Sequence, residues 1–319
     1  MTIVCTGSIA YDYLMTFPGY FKDHILPDKL ESISLSFLVD NMVRQRGGTA
    51  PNIAYTLALL GDRPRVMGTV GEDFEDYRTF LESHGVDTTF VRVVPGKYTA
   101  SFFANTDLSN NQIASFYSGA MADAARLHIS DLCADLPDMV VISPNDPVAM
   151  DMLCKECIDM KVPYLYDPSQ QIVRVSAEEI RFGVLGADSL FVNDYEHTLL
   201  EKLTGLKDEQ ILKAVRFMVV TRGKAGATIY AEGKQYQIPV VEELQTLDPT
   251  GVGDAFRGGF LRGLRLGLDW QTCGQMGSLA ATYCLEQRGP QNHEYSTKEF
   301  VQRYRQHFDD NGALDILLK

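Results

Sequence analysis

Positive charge is what this chain lacks. Its 29 Lys and Arg stand against 42 Asp and Glu, a formal net charge of −13. A phosphate backbone requires a basic face, so nucleic acid is not expected as a partner. Long apolar runs are missing too. No stretch approaches the roughly 18 uninterrupted apolar residues that cross a bilayer. The opening Met1-Thr2-Ile3-Val4-Cys5-Thr6-Gly7 has no basic segment, so neither a secretory signal nor a membrane partner is expected. Cysteine is sparse. The six residues Cys5, Cys133, Cys154, Cys157, Cys273 and Cys284 show no disulfide spacing, which fits a cytoplasmic location. Cys154 and Cys157 make one C-x-x-C pair, but no second pair or nearby His completes a zinc set. His84, His197 and His293 likewise have no ligand spacing. Repeats and linkers rich in Pro, Gly or Ser are absent, so residues 1–319 are expected to form a single domain.

What is present is globular composition, 45% hydrophobic and 22% charged, enough for a core of normal size. Apolar runs and glycine stops predict strands at Ile3–Gly7, Arg65–Thr69, Met139–Ser143, Tyr164–Asp167, Ser189–Asn193 and Phe217–Thr221. Helices are predicted at Pro51–Leu60, Phe74–Gly85, Pro147–Met160, Glu196–Leu203 and Asp208–Ala214. The last third reads as helices over Gly253–Gly267, Trp270–Gln287 and Ser296–Phe308. Such alternation predicts an α/β fold, a mostly parallel sheet between helical layers. Thr89–Val94 and Thr99–Thr106 flank Pro95-Gly96 and read as a hairpin. A small β lid over the mouth of the larger sheet is therefore expected from about 13–40 and 89–118.

The stretch richest in chemistry is Asp248-Pro249-Thr250-Gly251-Val252-Gly253-Asp254, running into a helix. Glycines at 251 and 253 carry no Cβ, so successive backbone N–H groups can face one anion. The helix start adds its positive dipole end. Asp254 at that spot is either an ordinary helix cap or a carboxylate within reach of a hydroxyl beside the anion. The second reading is what phosphoryl transfer to an alcohol needs, with an anion hole next to a base. Arg257 lies one turn on, where a fork donor reaches a transferred phosphoryl.

The stretch DPTGVGDAFRGG resembles the C-terminal signature of the ribokinase (PfkB-type) carbohydrate kinase family. Further stretches match in the family's order across the chain. Gly7-Ser8-Ile9-Ala10-Tyr11-Asp12 is similar to its first strand and turn, and Gly47-Gly48-Thr49-Ala50-Pro51-Asn52 to its glycine-pair motif. Asn193-Asp194-Tyr195-Glu196 is similar to its N-x-x-E element, and Thr221-Arg222-Gly223-Lys224-Ala225-Gly226 to its nucleotide loop. The resemblance implies a ribokinase-like three-layer αβα sandwich with a β lid. It implies Asp254 as base, with Gly251, Val252, Gly253 and Arg257 at the transferred group. Asp12, Gly47, Gly48, Thr49 and Asn52 are then expected at the acceptor. Asn193, Glu196, Thr221, Arg222, Gly223, Gly226 and Thr250 are expected at ATP, with Glu196 acting on Mg²⁺ indirectly. Pro249 replaces the usual Thr and Val252 the usual Ala. Pro249 removes one N–H from the loop, so a monovalent cation (K⁺) is left open, although Gln287-Arg288-Gly289-Pro290-Gln291 resembles half of such a cation loop.

Acceptor choice falls to the lid. Phe102, Phe103, Phe116 and Met15 are expected to wall a nucleobase, with Gln112 and Gln170 as hydrogen-bonding partners. The bland alternative is that these aromatics are the lid's own core. The stretches His24-Ile25-Leu26-Pro27-Asp28, Leu35-Ser36-Phe37-Leu38-Val39, NNQIASFYSGAM and Asp167-Pro168-Ser169-Gln170-Gln171 resemble the adenosine kinase-like nucleoside kinases of bacteria. The resemblance thus implies a nucleoside and ATP as substrates, adenosine first. A sugar kinase and a non-catalytic nucleoside sensor are the alternatives. The lid edges fit either a monomer or a homodimer paired through the lid.

Overall fold

The computed structural model describes residues 2–25, 31–32, 34–132 and 136–319. Cys133, the stretch Leu26–Asp28 and parts of the expected lid segment 13–40 lie outside the described residues.

The chain opens with β1 (Ile3–Thr6), β2 (Ala10–Thr16), β3 (Asn41–Gly47), α1 (Thr49–Leu59), β4 (Arg65–Val70), α2 (Glu75–Ser83) and β5 (Asp87–Val93). Next come β6 (Ala100–Thr106), β7 (Gln112–Tyr117), β8 (Met139–Ile142), α3 (Pro147–Asp159), β9 (Tyr164–Tyr166) and α4 (Ala177–Gly186). Then follow β10 (Ser189–Asn193), α5 (Asp194–Thr204), α6 (Asp208–Ala214), β11 (Phe217–Thr221), β12 (Ala227–Ala231) and β13 (Lys234–Ile238). The helices α7 (Val252–Arg265), α8 (Trp270–Leu285) and α9 (Thr297–His307) complete the order.

Two sheets result. A nine-stranded sheet has the order β13-β12-β11-β10-β9-β8-β1-β4-β5, parallel from β11 to β5 and antiparallel at β12 and β13. Its central strands are apolar on both sides, as burial between two helical layers demands, whereas the edge strands β5 and β13 are largely polar and partly exposed. Alternation sorts the side chains. Ile3, Cys5, Phe191, Phe217 and Val219 enter the core shared with α1 and α7. Val4, Leu190, Val192, Met218 and Val220 enter the core shared with α3 and α4. Each such side chain contributes about 1.5–3 kcal/mol when fully buried. The parallel sheet between helices is the expected ribokinase-like α/β fold.

The smaller sheet has the order β3-β2-β6-β7. It differs from expectation in its parts. β5 was expected to hairpin with β6, yet it pairs in parallel with β4 at the edge of the large sheet. A turn after alternating residues suits a hairpin, but Pro95-Gly96 here lets the chain cross between sheets. Strands β2 and β3 supply the other half of the lid, starting before residue 13 and running past residue 40. The antiparallel pair β12–β13 was not anticipated. Its first strand reads as a plain continuation of the Gly226 loop.

Candidate active site

The C-terminal ends of the neighbouring strands β1, β8, β9, β10 and β11 form one edge of the large sheet. Ligand sites of open α/β sheets lie along such an edge. It carries Gly7 after β1, Asp167 after β9, Asn193 at the end of β10 and Thr221 at the end of β11. The smaller sheet starts from the same edge, because β2 follows β1 within a few residues.

Gly48 joins the lid to α1. Its φ is +95°, a conformation that side chains disfavour, and a Cβ there would strike the carbonyl oxygen of Ser8. The N-terminal turn of α1 thus tucks against the first loop, with the Thr49 N–H donating to Ser8 Oγ at 3.2 Å. Gly47 sits against the Asp12 carboxylate, where a Cβ would come within 2.9 Å of Oδ2. Burial, with the nearby Asp248 adding to it, pushes the Asp12 carboxyl up to about 6.

Facing this loop is the start of α7. Gly251 is its N-cap at φ +77°, and a Cβ there would collide with Pro290. Asp248 holds the turn, accepting the Thr250 N–H at 2.9 Å and the Gly289 N–H at 2.9 Å. Asp254 lies in the first turn of α7, half-buried. Burial pushes its carboxyl up to about 6, against the pull of Arg257 and of a hydrogen bond from Asn52. That bond, Asn52 Nδ2 to Asp254 Oδ2, measures 2.8 Å. It joins two motifs far apart in the chain.

Arg257 was expected to reach outward to a phosphoryl. It is instead buried behind the loop, with Nη2 donating to Asp167 Oδ1 at 2.6 Å. Nη1 lies where a Cβ on Gly253 would come within 2.9 Å, so the cation backs the glycine loop. The Nε of Arg257 and the Oδ2 of Asp167 are buried without partners. Burial together with Glu196 and Asp254 pushes the Asp167 carboxyl up, and Arg257 opposes them.

Glu196 is committed as well. Asn193 and Glu196 form a reciprocal capping box at the start of α5, with the Asn193 N–H donating to Oε2 at 2.8 Å. Ser169 Oγ donates to Oε1 at 3.1 Å. Both oxygens of Glu196 are thus engaged, Oε2 at the start of α5 and Oε1 on Ser169. Asp167, with its unpartnered Oδ2, and Glu196 suit a hard cation. Among the described residues, no group of three or more His, Cys, Asp or Glu could hold a metal by itself. Asp248 bridges the two loops that the sequence offers for a monovalent cation, with one oxygen on each.

Beyond α5, Thr221 ends β11 half-buried, and Gly223 and Gly226 take φ +51° and +82°. Their loop closes through Arg222 N–H to Gly226 O at 2.7 Å. The Arg222 side chain, expected at a nucleotide, folds back onto Thr228 Oγ1 and the Val220 carbonyl. It acts as a strut of the strand pair.

The expected aromatic wall is divided. Asp12 stands in register with Phe102, and Phe102 with Phe116, so these three share one lid face. Phe103 and Met15 point to the other face, where Phe103 stacks on Tyr13 at 4.8 Å. Gln112, across from Thr106, lies on the Asp12 side near the lid's far end and donates to Thr106 Oγ1 at 3.3 Å. Gln170 is exposed, whereas its neighbour Gln171 is buried with Oε1 unpartnered. Sequence reasoning passed over Tyr77, and quoted Asp167, Gln171 and Gln291 only as parts of motifs. A lone amide or phenol in a mixed stretch gives no pattern of its own.

Comparison with known proteins agrees with this fold. Residues 6–298 match the profile of the pfkB family carbohydrate kinases. A nucleoside kinase of Burkholderia thailandensis, solved in complex with inosine, is 38% identical with a TM-score of 0.85, covering 96% of this chain and 98% of that one. The same enzyme has been solved in complex with ADP-inosine. A nucleoside kinase of Methanothermobacter thermautotrophicus is 30% identical over 313 residues, 95% of each protein. The crystal structure of the Methanocaldococcus jannaschii nucleoside kinase is 26% identical with a TM-score of 0.86, covering 96% of this chain and 98% of that one.

Proposed function

The chain belongs to the PfkB carbohydrate kinase family, phosphotransferases with an alcohol group as acceptor, and from that premise we propose that it phosphorylates the 5′-hydroxyl of a nucleoside at the expense of ATP. The observation that carries this reading is the 2.8 Å bond from Asn52 to Asp254, which puts the acceptor loop and the base in one place. Asp12, Gly48 and Asn52 hold the ribose. Asp254 takes the hydroxyl proton as that oxygen attacks the γ-phosphorus, the bond to the bridging oxygen breaks, and ADP leaves. The amides of Gly251–Gly253, backed by Arg257, face the charge on the transferred group. Thr221, Gly223, Gly226 and Thr250 border the nucleotide. Asp167 and Glu196 are the carboxylates that would hold Mg²⁺, which when bound would neutralise phosphate charge. Phe102 and Phe116, on the Asp12 face, offer the flat apolar surface a base requires. The inosine held by the Burkholderia enzyme favours a purine, with adenosine and inosine first to try.

The test is ADP release with Mg-ATP across nucleosides and simple sugars. Turnover of nucleosides with little of ribose or fructose is expected. Turnover of sugars alone would keep the family chemistry and overturn the nucleoside reading.

A further inference from the structure

Asp254 is one end of a longer chain of hydrogen bonds. Asn52 Nδ2 donates to Asp254 at 2.8 Å, and Gln291 Nε2 donates to Asn52 Oδ1 at 2.7 Å. The same Gln291 nitrogen donates to the Tyr77 hydroxyl, and that hydroxyl donates to the Gly47 carbonyl at 3.0 Å. Tyr77 is fully buried, and burial holds its phenol well above its ordinary range, so the hydroxyl keeps its hydrogen. Gln291 is buried as well, at 2% exposure.

The polarity of this chain is forced. A backbone carbonyl stands at one end and a carboxylate at the other, and both are acceptors only. A run of hydrogen bonds between two acceptors needs, once in its interior, a group that donates in both directions. The NH₂ of Gln291 is that group. Tyr77 spends its hydrogen on Gly47 and must accept from Gln291. Asn52 must then present Oδ1 to Gln291, which leaves Nδ2 for Asp254. Were the Asn52 amide reversed, its carbonyl would face the carboxylate.

We propose that Gln291, braced by Tyr77, is a positioning residue that sets the amide orientation of Asn52 and so keeps a donor on the catalytic carboxylate. The segment Gly289–Gln291 thereby serves the acceptor side of the site, through Gly289 on Asp248, Pro290 against Gly251 and Gln291 on Asn52. The inference rests on the reading of Asp254 as base. Arg257 on α7, Glu196 on α5, Asp167 after β9 and Cys284 on α8 also face Asp254, and all stay in place in the variants below.

The experiment compares Gln291→Leu, Gln291→Glu and Tyr77→Phe by steady-state kinetics from pH 5 to 9, with melting curves as a check of folding. For Gln291→Leu, kcat should fall about tenfold with nucleoside KM changed less than about twofold. Loss of a donor to the carboxylate should also move the acid limb of kcat to higher pH. Gln291→Glu, which puts a carboxylate against the Asn52 carbonyl oxygen, should fall further. Tyr77→Phe leaves Gln291 to Asn52 intact and should shift least. Wild-type kcat and an unmoved acid limb in both Gln291 variants would overturn the relay. If the wild type turns over no nucleoside, the proposed function fails, and the relay is judged without turnover. Carbon-13 NMR then follows the Asp254 carboxyl, assigned through Asp254→Asn. An upward shift in Gln291→Leu supports the relay and an unmoved titration sinks it. Should Gln291→Leu and Gln291→Glu not fold, the near-isosteric Gln291→Met takes their place, and an unmoved Asp254 titration in it overturns the relay equally.

Discussion

A carboxylate that must take a proton gains from a pKa near working pH. Burial raises Asp254 to about 6, which keeps it ionised at neutral pH and still a better base than a free aspartate. Asp254→Asn should therefore lower kcat by about 10²–10⁴-fold while ATP and acceptor still bind, as calorimetry on the variant would show. In the wild type, kcat should rise with pH through about 6 as Asp254 loses its proton, a limb absent from any residual turnover of the variant. Retention of wild-type turnover by Asp254→Asn would end the base assignment. Arg257 teaches a different lesson. Its position one turn past Asp254 suggests an outward reach, but Asp167 claims it from the far side of the sheet edge. That pairing joins residues 90 apart in sequence, and no local pattern announces it.

Between elements, the meeting of α1 and α7 decides the geometry. Gly258 of α7 lies against α1, where a Cβ would come 2.6 Å from Cβ of Thr56 and 2.9 Å from the Ile53 carbonyl. Only a glycine lets the two helices close to the spacing that brings Asn52 to Asp254. Gly258→Ala should cost about 1–3 kcal/mol by overpacking and lower Tm by several degrees. It should also lower kcat more than it raises KM, since the helix ends part at the base. An unchanged kcat in the folded variant would show that the spacing is not limiting. Such contacts also explain what was legible. The helices and parallel strands of the body, α4 excepted, were readable because their apolar periodicity is local. Glycine-rich loops were readable because their backbone needs are local. The faces of the lid were not: Phe102 and Phe103 are adjacent in sequence, and only register with Asp12 tells which one turns toward the site. The place of β5 was hidden for a related reason, since a turn shows that the chain bends and not which sheet receives it.

Across the whole molecule, the site opposes the fold. Asp254 carries a folded-state pKa of about 6 against an ordinary 3.8. A raised carboxyl pKa stabilises the native state fully below about pH 4, and that contribution is lost as pH rises through about 6. Asp12 acts in the same sense, whereas His293, lowered to about 4 by burial, acts oppositely between about 4 and its ordinary 6.5. Comparing Asp254→Asn with the wild type cancels these shared contributions. The variant should gain stability relative to the wild type as pH goes from 5 to 8. Its half-buried position limits the gain at pH 8 to the order of 1–2 kcal/mol. Melting curves at the two pH values measure it, and a pH-independent difference would refute the burial argument.

The order of elements along the chain also has a bearing on how the protein is made. The lid strands, Asp12 and the Gly47–Asn52 loop all lie in the first 117 residues, whereas Gly251 and Asp254 stand at the head of α7, in the last quarter. A growing chain on the ribosome thus exposes the acceptor side first, with β1 still lacking its partner β8. No truncated product ending before α7 holds both Asn52 and Asp254. On the proposed roles, turnover requires synthesis at least through α7, because this pair forms only when the late helix docks against the early one.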